Sequence, residues 1–169
     1  MKKKKTGKSA MDSALDYLTS RPRTVREMEN YLDGQNYGEY EVYAAVERLK
    51  ELKYLDDARY AADFVSTRLA TKPLSRRKLK EQMRAHYLGA DDIDAAMEQV
   101  SDDVERQNAM AVAEKFYRQF EGLEEYDRRQ RIVRRLAGRG YDFGVIRDSV
   151  EKLIGVIDCP IEGDAEDEE

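Results

Sequence analysis

The sequence predicts an all-α chain of three tandem three-helix repeats. Three observations carry this. Leu, Ala, Glu, Lys and Arg recur at helical spacing, with no Trp and only three Pro. Charged residues make up 38% and apolar residues 41% of the 169, too little apolar material for one deep core and enough for a thin, elongated, curved body. The apolar pattern also repeats along the chain.

Residues 24–49 lie over residues 75–100 at an offset of 51 without a gap. Met28 falls on Leu79, Leu32 on Met83, Tyr37 on Leu88, Val42 on Ile93, Ala45 on Ala96, Val46 on Met97 and Leu49 on Val100. At an offset of 104, Ile132, Leu136, Tyr141, Ile146, Ser149, Val150 and Leu153 fill the same slots, and only Ser149 departs in polarity. Each copy reads as two helices around a short turn, preceded by a leading helix at about 10–20, 57–70 or 104–120. The repeats are expected at 10–56, 57–103 and 104–157, between a basic flexible tail at 1–9 and an acidic one at 158–169.

The boundaries have chemical causes. Thr24 and Glu27 form a capping box, in which hydroxyl and carboxylate satisfy unpaired backbone donors. Pro22 stops the helix before it. Ser75, after Pro73, and Asp127 are the expected N-caps of the corresponding second helices. Gly89 and Gly140 are expected to supply positive φ at the turns of the second and third copies, with Gly34 and Gly38 flanking the first. Stacked units of this kind touch mainly their sequence neighbours and offer a long face, not a closed pocket.

The ends carry opposite charge. Lys2, Lys3, Lys4, Lys5 and Lys8 precede the repeats, and Asp158, Glu162, Asp164, Glu166, Asp167, Glu168 and Glu169 follow them, so the formal charge of −5 leaves −3 on the body between. Such segments bury too little apolar surface to offset ordering entropy and are expected to be disordered. No apolar run approaches the roughly 18 residues of a membrane span, and the N-terminal lysines lead into TGKSAMDSA, so a cytoplasmic protein is expected. Cys159, the single cysteine, permits no internal disulfide and lies beside Pro160 without a supporting shell for a nucleophile.

Two basic clusters are the candidate binding sites. Arg128, Arg129, Arg131, Arg134, Arg135 and Arg139 give +6 without an acid between them, and Arg128, Arg131 and Arg135 share a face opposite Ile132, Val133 and Leu136. Lys72, Arg76, Arg77, Lys78, Lys80 and Arg84 give +5 against Glu81, with Arg76, Lys80 and Arg84 at four-residue spacing. Guanidinium groups fork onto phosphates or carboxylates, and the equivalent placement of the clusters predicts one basic track. The bland alternative is a solvated arginine face balanced by Glu124 and Glu125. Six crowded arginines repel one another without a partner, which favours binding.

The other chemistry-bearing residues read as structural. The doublets Asp56–Asp57, Asp91–Asp92 and Asp102–Asp103 precede helices and suit their positive ends, and no His or Cys cluster accompanies them as a metal site needs. Eleven tyrosines invite a base-stacking reading, yet most sit at apolar-periodic or turn positions, with Tyr40 and Tyr126 the expected exposed exceptions. His86 has no Ser, Cys or carboxylate at a catalytic spacing, and no phosphate-cradling loop or nucleophile elbow occurs. Neither catalysis nor a cofactor is expected.

Three stretches resemble the RecX family. LTSRPRTVREMENYL (18–32) is similar to its first repeat. LDDARYAADFVSTR (55–68) matches its most recognisable joint at Asp56, Asp57, Arg59, Tyr60 and Ala61, and RRLAGRGYDFGVI (134–146) resembles its basic-Gly-aromatic element. The likeness covers residues 10–154. AHYLGADDI departs at the second internal turn, where the family has Gly followed by an aliphatic residue, and the acidic tail after Ile157 lies outside the pattern. The resemblance implies a monomeric, non-catalytic regulator. It would bind RecA and the filament RecA forms on single-stranded DNA, lodge in its groove, and oppose filament growth, ATP hydrolysis, strand exchange and co-protease activity. On this reading the basic track meets the single-stranded or duplex DNA backbone or the acidic filament surface. A second reading is a DNA-binding module acting without RecA, since three-helix units with basic second helices resemble helix-turn-helix proteins. Against it, REMENYL and RKLKEQM look like packing helices.

Overall fold

The computed structural model describes residues 7–155. Within them lie nine helices and no strand, in three triplets: α1 Ala10–Leu18, α2 Val25–Gly34 and α3 Glu39–Glu51; α4 Asp57–Thr71, α5 Arg76–Ala85 and α6 Ala90–Met97; α7 Asp102–Gln119, α8 Glu125–Ala137 and α9 Phe143–Ile154. The segments 1–6 and 156–169 lie outside the described residues, and with them Lys2 to Lys5, Cys159 and the acidic tail. Lys8 and Ser9, placed in the basic tail by sequence, belong to the first triplet. Ser9 caps α1, and Lys8 Nζ lies 2.6 Å from an Asp16 carboxylate oxygen.

The helix starts follow local chemistry. Ser9 with Asp12 and Thr24 with Glu27 form capping boxes, while Asp56, Ser75, Ser101 and Asp142 each accept a hydrogen bond from the backbone amide three residues on. Asp127 is not a cap. α8 begins a turn earlier than α2 and α5, after Glu124, and Asp127 sits within its first turn. Of the acidic doublets only Asp56 is an N-cap; Asp91, Asp92, Asp102 and Asp103 lie inside the first turns of α6 and α7, where they still oppose the positive helix end.

Each triplet has its own core. Met28, Leu79 and Ile132 are all fully buried, as are Leu32, Met83 and Leu136, and each pairs with residues of its own triplet's flanking helices. The repeat offsets of 51 and 104 are therefore physical equivalences. They also locate the turns. Asn36, Tyr87 and Gly140 occupy one slot and all have positive φ, at 63°, 62° and 84°. Gly38 and Gly89 do not supply it. They are N-caps of α3 and α6 with φ of −69° each, a slot taken by Asp142 in the third triplet. Gly34 closes α2.

The triplets are joined by one device used twice. Thr24 Oγ1 donates to the His86 carbonyl at 2.7 Å, so the start of α2 meets the end of α5. Ser75 N–H donates to the Arg139 carbonyl at 3.1 Å, so the start of α5 meets the end of α8. In each case a carboxylate on the following triplet's leading helix accepts from the first helical amide: Asp57 from Val25 at 2.9 Å, Glu105 from Arg76 at 2.8 Å. The second helices thus run end to end with their dipoles aligned, negative end against positive. His86 serves the first junction further, with Nδ1 2.9 Å from Glu27 and its ring beside Tyr60 and Phe64.

Burial pushes the Asp57 carboxyl up, against the pull of the Val25 amide. The folded chain therefore holds that proton more tightly than the unfolded chain. Asp57's contribution is greatest in acid and declines as pH rises from the ordinary carboxylate value, about 4, through the raised one. Asp57→Asn, which retains an acceptor without a half-buried charge, is expected to match the native stability near pH 4 and to gain relative to it toward pH 7. Asp57→Ala leaves the Val25 amide unpaired and is expected to cost about 1 kcal/mol. Denaturant melts at the two pH values read both.

Candidate partner-binding surface

The leading helix of the third triplet sets up the arginine face. Phe116 and Phe120, one turn apart on and just beyond α7, stack nearly parallel with centroids 5.7 Å apart. Across from them on α8 and its exit, the guanidinium of Arg131 lies 5.9 Å from the Phe120 centroid, and those of Arg135 and Arg139 lie 5.4 and 5.0 Å from that of Phe116. Such contacts contribute about 0.5–1 kcal/mol each at exposed sites. The Arg131 and Arg135 side chains make no hydrogen bond in addition to these contacts, so their N–H groups are open to another acceptor. Phe120, Arg131, Arg134 and Arg135 line a cleft of about 300 Å³.

No carboxylate among the described residues pairs with any of the six arginines of this run. Glu124 and Glu125, the neighbours that would make it a balanced surface, do not reach them. The six are nonetheless not equivalent. Arg128 is a clamp: its guanidinium lies 3.3 Å from the Tyr117 ring centroid and Nε donates to the Tyr117 carbonyl at 2.9 Å, satisfying an acceptor in the last turn of α7. Arg129 is buried at 5% exposure, in the slot of Val25 and Arg76, with Nη1 unpaired. Arg139 is half-buried; Nη1 donates to the Arg135 carbonyl at 3.0 Å, and burial lowers its pKa. Arg134 is exposed, with Nε 3.4 Å from the Gln130 carbonyl. Arg131 and Arg135 are exposed with no hydrogen-bond partner.

The α5 cluster is largely neutralised, by two tertiary neighbours and one acid of its own helix. Arg76 pairs with Asp102, Lys80 with Asp94 at 2.8 Å and Lys78 with Glu81 at 2.9 Å. Arg77 and Arg84 remain exposed and unpaired. The end of α8 abuts the start of α5, and a Cβ on Gly140 would stand 2.9 Å from Lys78 Cβ, so the two basic helices are contiguous but unequally charged. Phe116 and Phe120 were not singled out in the sequence; two phenylalanines at four-residue spacing before an arginine helix were the available signal. Of the tyrosines, Tyr40 and Tyr126 are exposed as expected, and Tyr43, Tyr54 and Tyr87 are exposed as well. Tyr87 occupies the positive-φ turn slot. Among the described residues no helix is long and apolar enough to cross a membrane, and no cluster of three His, Cys, Asp or Glu could hold a metal.

Among the described residues, nine helices in three equivalent units, locked end to end by their second helices, define a tandem three-helix repeat protein whose accessible chemistry is on a surface. Family models described as the first, second and third three-helix domains of RecX match residues 10–49, 56–97 and 103–150, and the chain belongs to the RecX family. It is 27% identical over 145 residues to the regulatory protein RecX of Bacillus pumilus, covering 86% of this chain and 55% of that one. It is 26% identical over 147 residues to that of Prosthecochloris aestuarii, covering 87% and 95%. The chain thus spans about half the length of the Bacillus relatives it matches. The crystal structure of RecX from Lactobacillus salivarius superposes with a TM-score of 0.70 at 20% identity, covering 85% of this chain and 94% of that one. A further crystal structure of regulatory protein RecX superposes with a TM-score of 0.67 at 27% identity, covering 86% and 70%.

Proposed function

We propose that the chain is a cytoplasmic, monomeric regulator that binds RecA and its filament on single-stranded DNA and lowers the filament's growth and ATP hydrolysis without catalysing a reaction of its own. Membership of the RecX family supports the regulatory part. The observation that carries the binding part is the arginine face of α8, where no described carboxylate forms an ion pair with Arg131, Arg134 or Arg135. There Arg131, Arg134 and Arg135, with Arg77 and Arg84 on the adjoining helix, meet the phosphate backbone or acidic filament surface. Arg76 and Lys80, committed to Asp102 and Asp94, contribute less, and Arg128 positions α7 against α8. The contact reads no base sequence.

A groove-reading helix-turn-helix is the weaker reading. A recognition helix presents its N-terminal residues to base edges, whereas the starts of α2 and α5 are occupied by the His86 and Arg139 carbonyls. The test is RecA's ATP turnover on single-stranded DNA. Purified chain at substoichiometric amounts is expected to lower it, with no hydrolysis by the chain alone. Unchanged turnover and filament length at saturating chain overturn the proposal, and protection of one DNA sequence without RecA favours the alternative.

A further inference from the structure

No described carboxylate forms an ion pair with the arginine face of α8, and the same chain carries an acidic run. Asp158, Glu162, Asp164, Glu166, Asp167, Glu168 and Glu169 fall within twelve residues, and 156–169 contains no Lys or Arg. We propose that the acidic segment 158–169 is an intrachain occupant of the α8 arginine face, seated on Arg131, Arg134 and Arg135 over Phe120, and that a phosphate-bearing partner must displace it. The proposal concerns regulation of the surface described above and rests on α8 being the binding face.

Three observations support it. The first is charge: seven carboxylates against an arginine run in which Arg131 and Arg135 hold no carboxylate or hydrogen-bond partner. The second is reach. The 14 residues after Gly155 span up to about 50 Å when extended. α8, with 13 residues, is about 20 Å long, so the segment can pass along the whole of it. The third is preorganisation. Phe120 and Phe116 lie 5.9 and 5.4 Å from the guanidiniums of Arg131 and Arg135, contacts that restrict those side chains and so lower the entropy lost when carboxylates pair with them. The N-terminal lysines are the competing site for the acids, but an ammonium group is a point charge and lacks the fork that a guanidinium offers a carboxylate.

Individually weak surface ion pairs become significant when tethered, because a short linker supplies an effective concentration near millimolar. Removing the segment is accordingly expected to tighten binding of labelled oligo-dT by roughly tenfold at low salt, with the difference vanishing at high salt.

The experiment compares the full chain, a chain ending at Ile157, and a full chain with the acids amidated (D158N, E162Q, D164N, E166Q, D167N, E168Q, E169Q). A labelled peptide of residues 158–169 is titrated into the shortened chain without DNA. Binding that is lost in the Arg131→Glu, Arg135→Glu form supports the proposal. No binding, or binding indifferent to those reversals, overturns it, the latter assigning the acids to the lysines. Self-association of the full chain that the amidated variant lacks also overturns it, since one copy's acids would then sit on another. The oligo-dT arm separates the two readings: peptide binding without any affinity for oligo-dT or filament defeats the phosphate reading of α8 and leaves the intrachain contact standing.

Discussion

Exchanging Arg131 and Arg135 together for glutamate is expected to weaken binding to single-stranded DNA and to the RecA filament by 100-fold or more at about 0.1 M salt. Each phosphate contact contributes a slope of about 0.7–0.9 in log affinity against log salt, so two lost contacts flatten the dependence by about 1.5, and two new carboxylates add repulsion. Stability should not follow. Both side chains are exposed, neither makes a hydrogen bond, and the ring contacts they lose are offset by relief of repulsion from Arg128, Arg134 and Arg139. The melting temperature is therefore expected to stay within a few degrees of the native value. Arg26→Glu is the matched control. Arg26 also lies on a second helix but is paired with Glu29 at 2.9 Å, so its reversal should change affinity only severalfold. Anisotropy titrations across a salt series, beside thermal melts, read both quantities. Native affinity in the double reversal defeats the assignment of α8.

The apolar half of this fold was legible because burial is set by period. A residue at Met28, Leu79 or Ile132 faces inward whatever its neighbours do, so the offsets of 51 and 104 lie open in the sequence. Caps such as Thr24 with Glu27 and Ser75 were legible for the same reason, being local. Charge was not. The α5 cluster looked as basic as the α8 cluster until the fold brought Asp94 and Asp102 onto Lys80 and Arg76 from 14 and 26 residues away. Arg128 and Arg129 counted as free cations, yet one clamps the Tyr117 carbonyl and the other is buried. The turns failed instructively. Looking for glycine located positive φ at Gly89, whereas projecting Gly140 back through the repeat offsets reaches Tyr87 and Asn36, the residues that adopt it.

That slot yields the second large effect. Gly140→Val is expected to destabilise the chain by about 3 kcal/mol, because two costs coincide there. At φ of 84° an L-residue's Cβ crowds the following carbonyl, a cost of about 1–2 kcal/mol. The same Cβ would stand 2.8 Å from Ser75 Oγ and 2.9 Å from Lys78 Cβ. Ser75 cannot yield, since it is 1% exposed, caps α5 and donates its amide to the Arg139 carbonyl. A β-branched side chain at 140 therefore pries the end of α8 from the start of α5. A fall of about 6–12 °C in melting temperature should accompany it. Faster hydrogen exchange at the Ser75 and Arg76 amides, with Val25 in the first junction unaffected, would place the damage between the second and third units. Tyr87 is the opposite case. It holds φ of 62° while exposed, so Tyr87→Gly trades that conformational strain against chain entropy and should be neutral to stabilising by up to about 1 kcal/mol. A gain at Tyr87 as large as the loss at Gly140 would mean that backbone conformation, not the close approach to Ser75 and Lys78, sets the cost at Gly140.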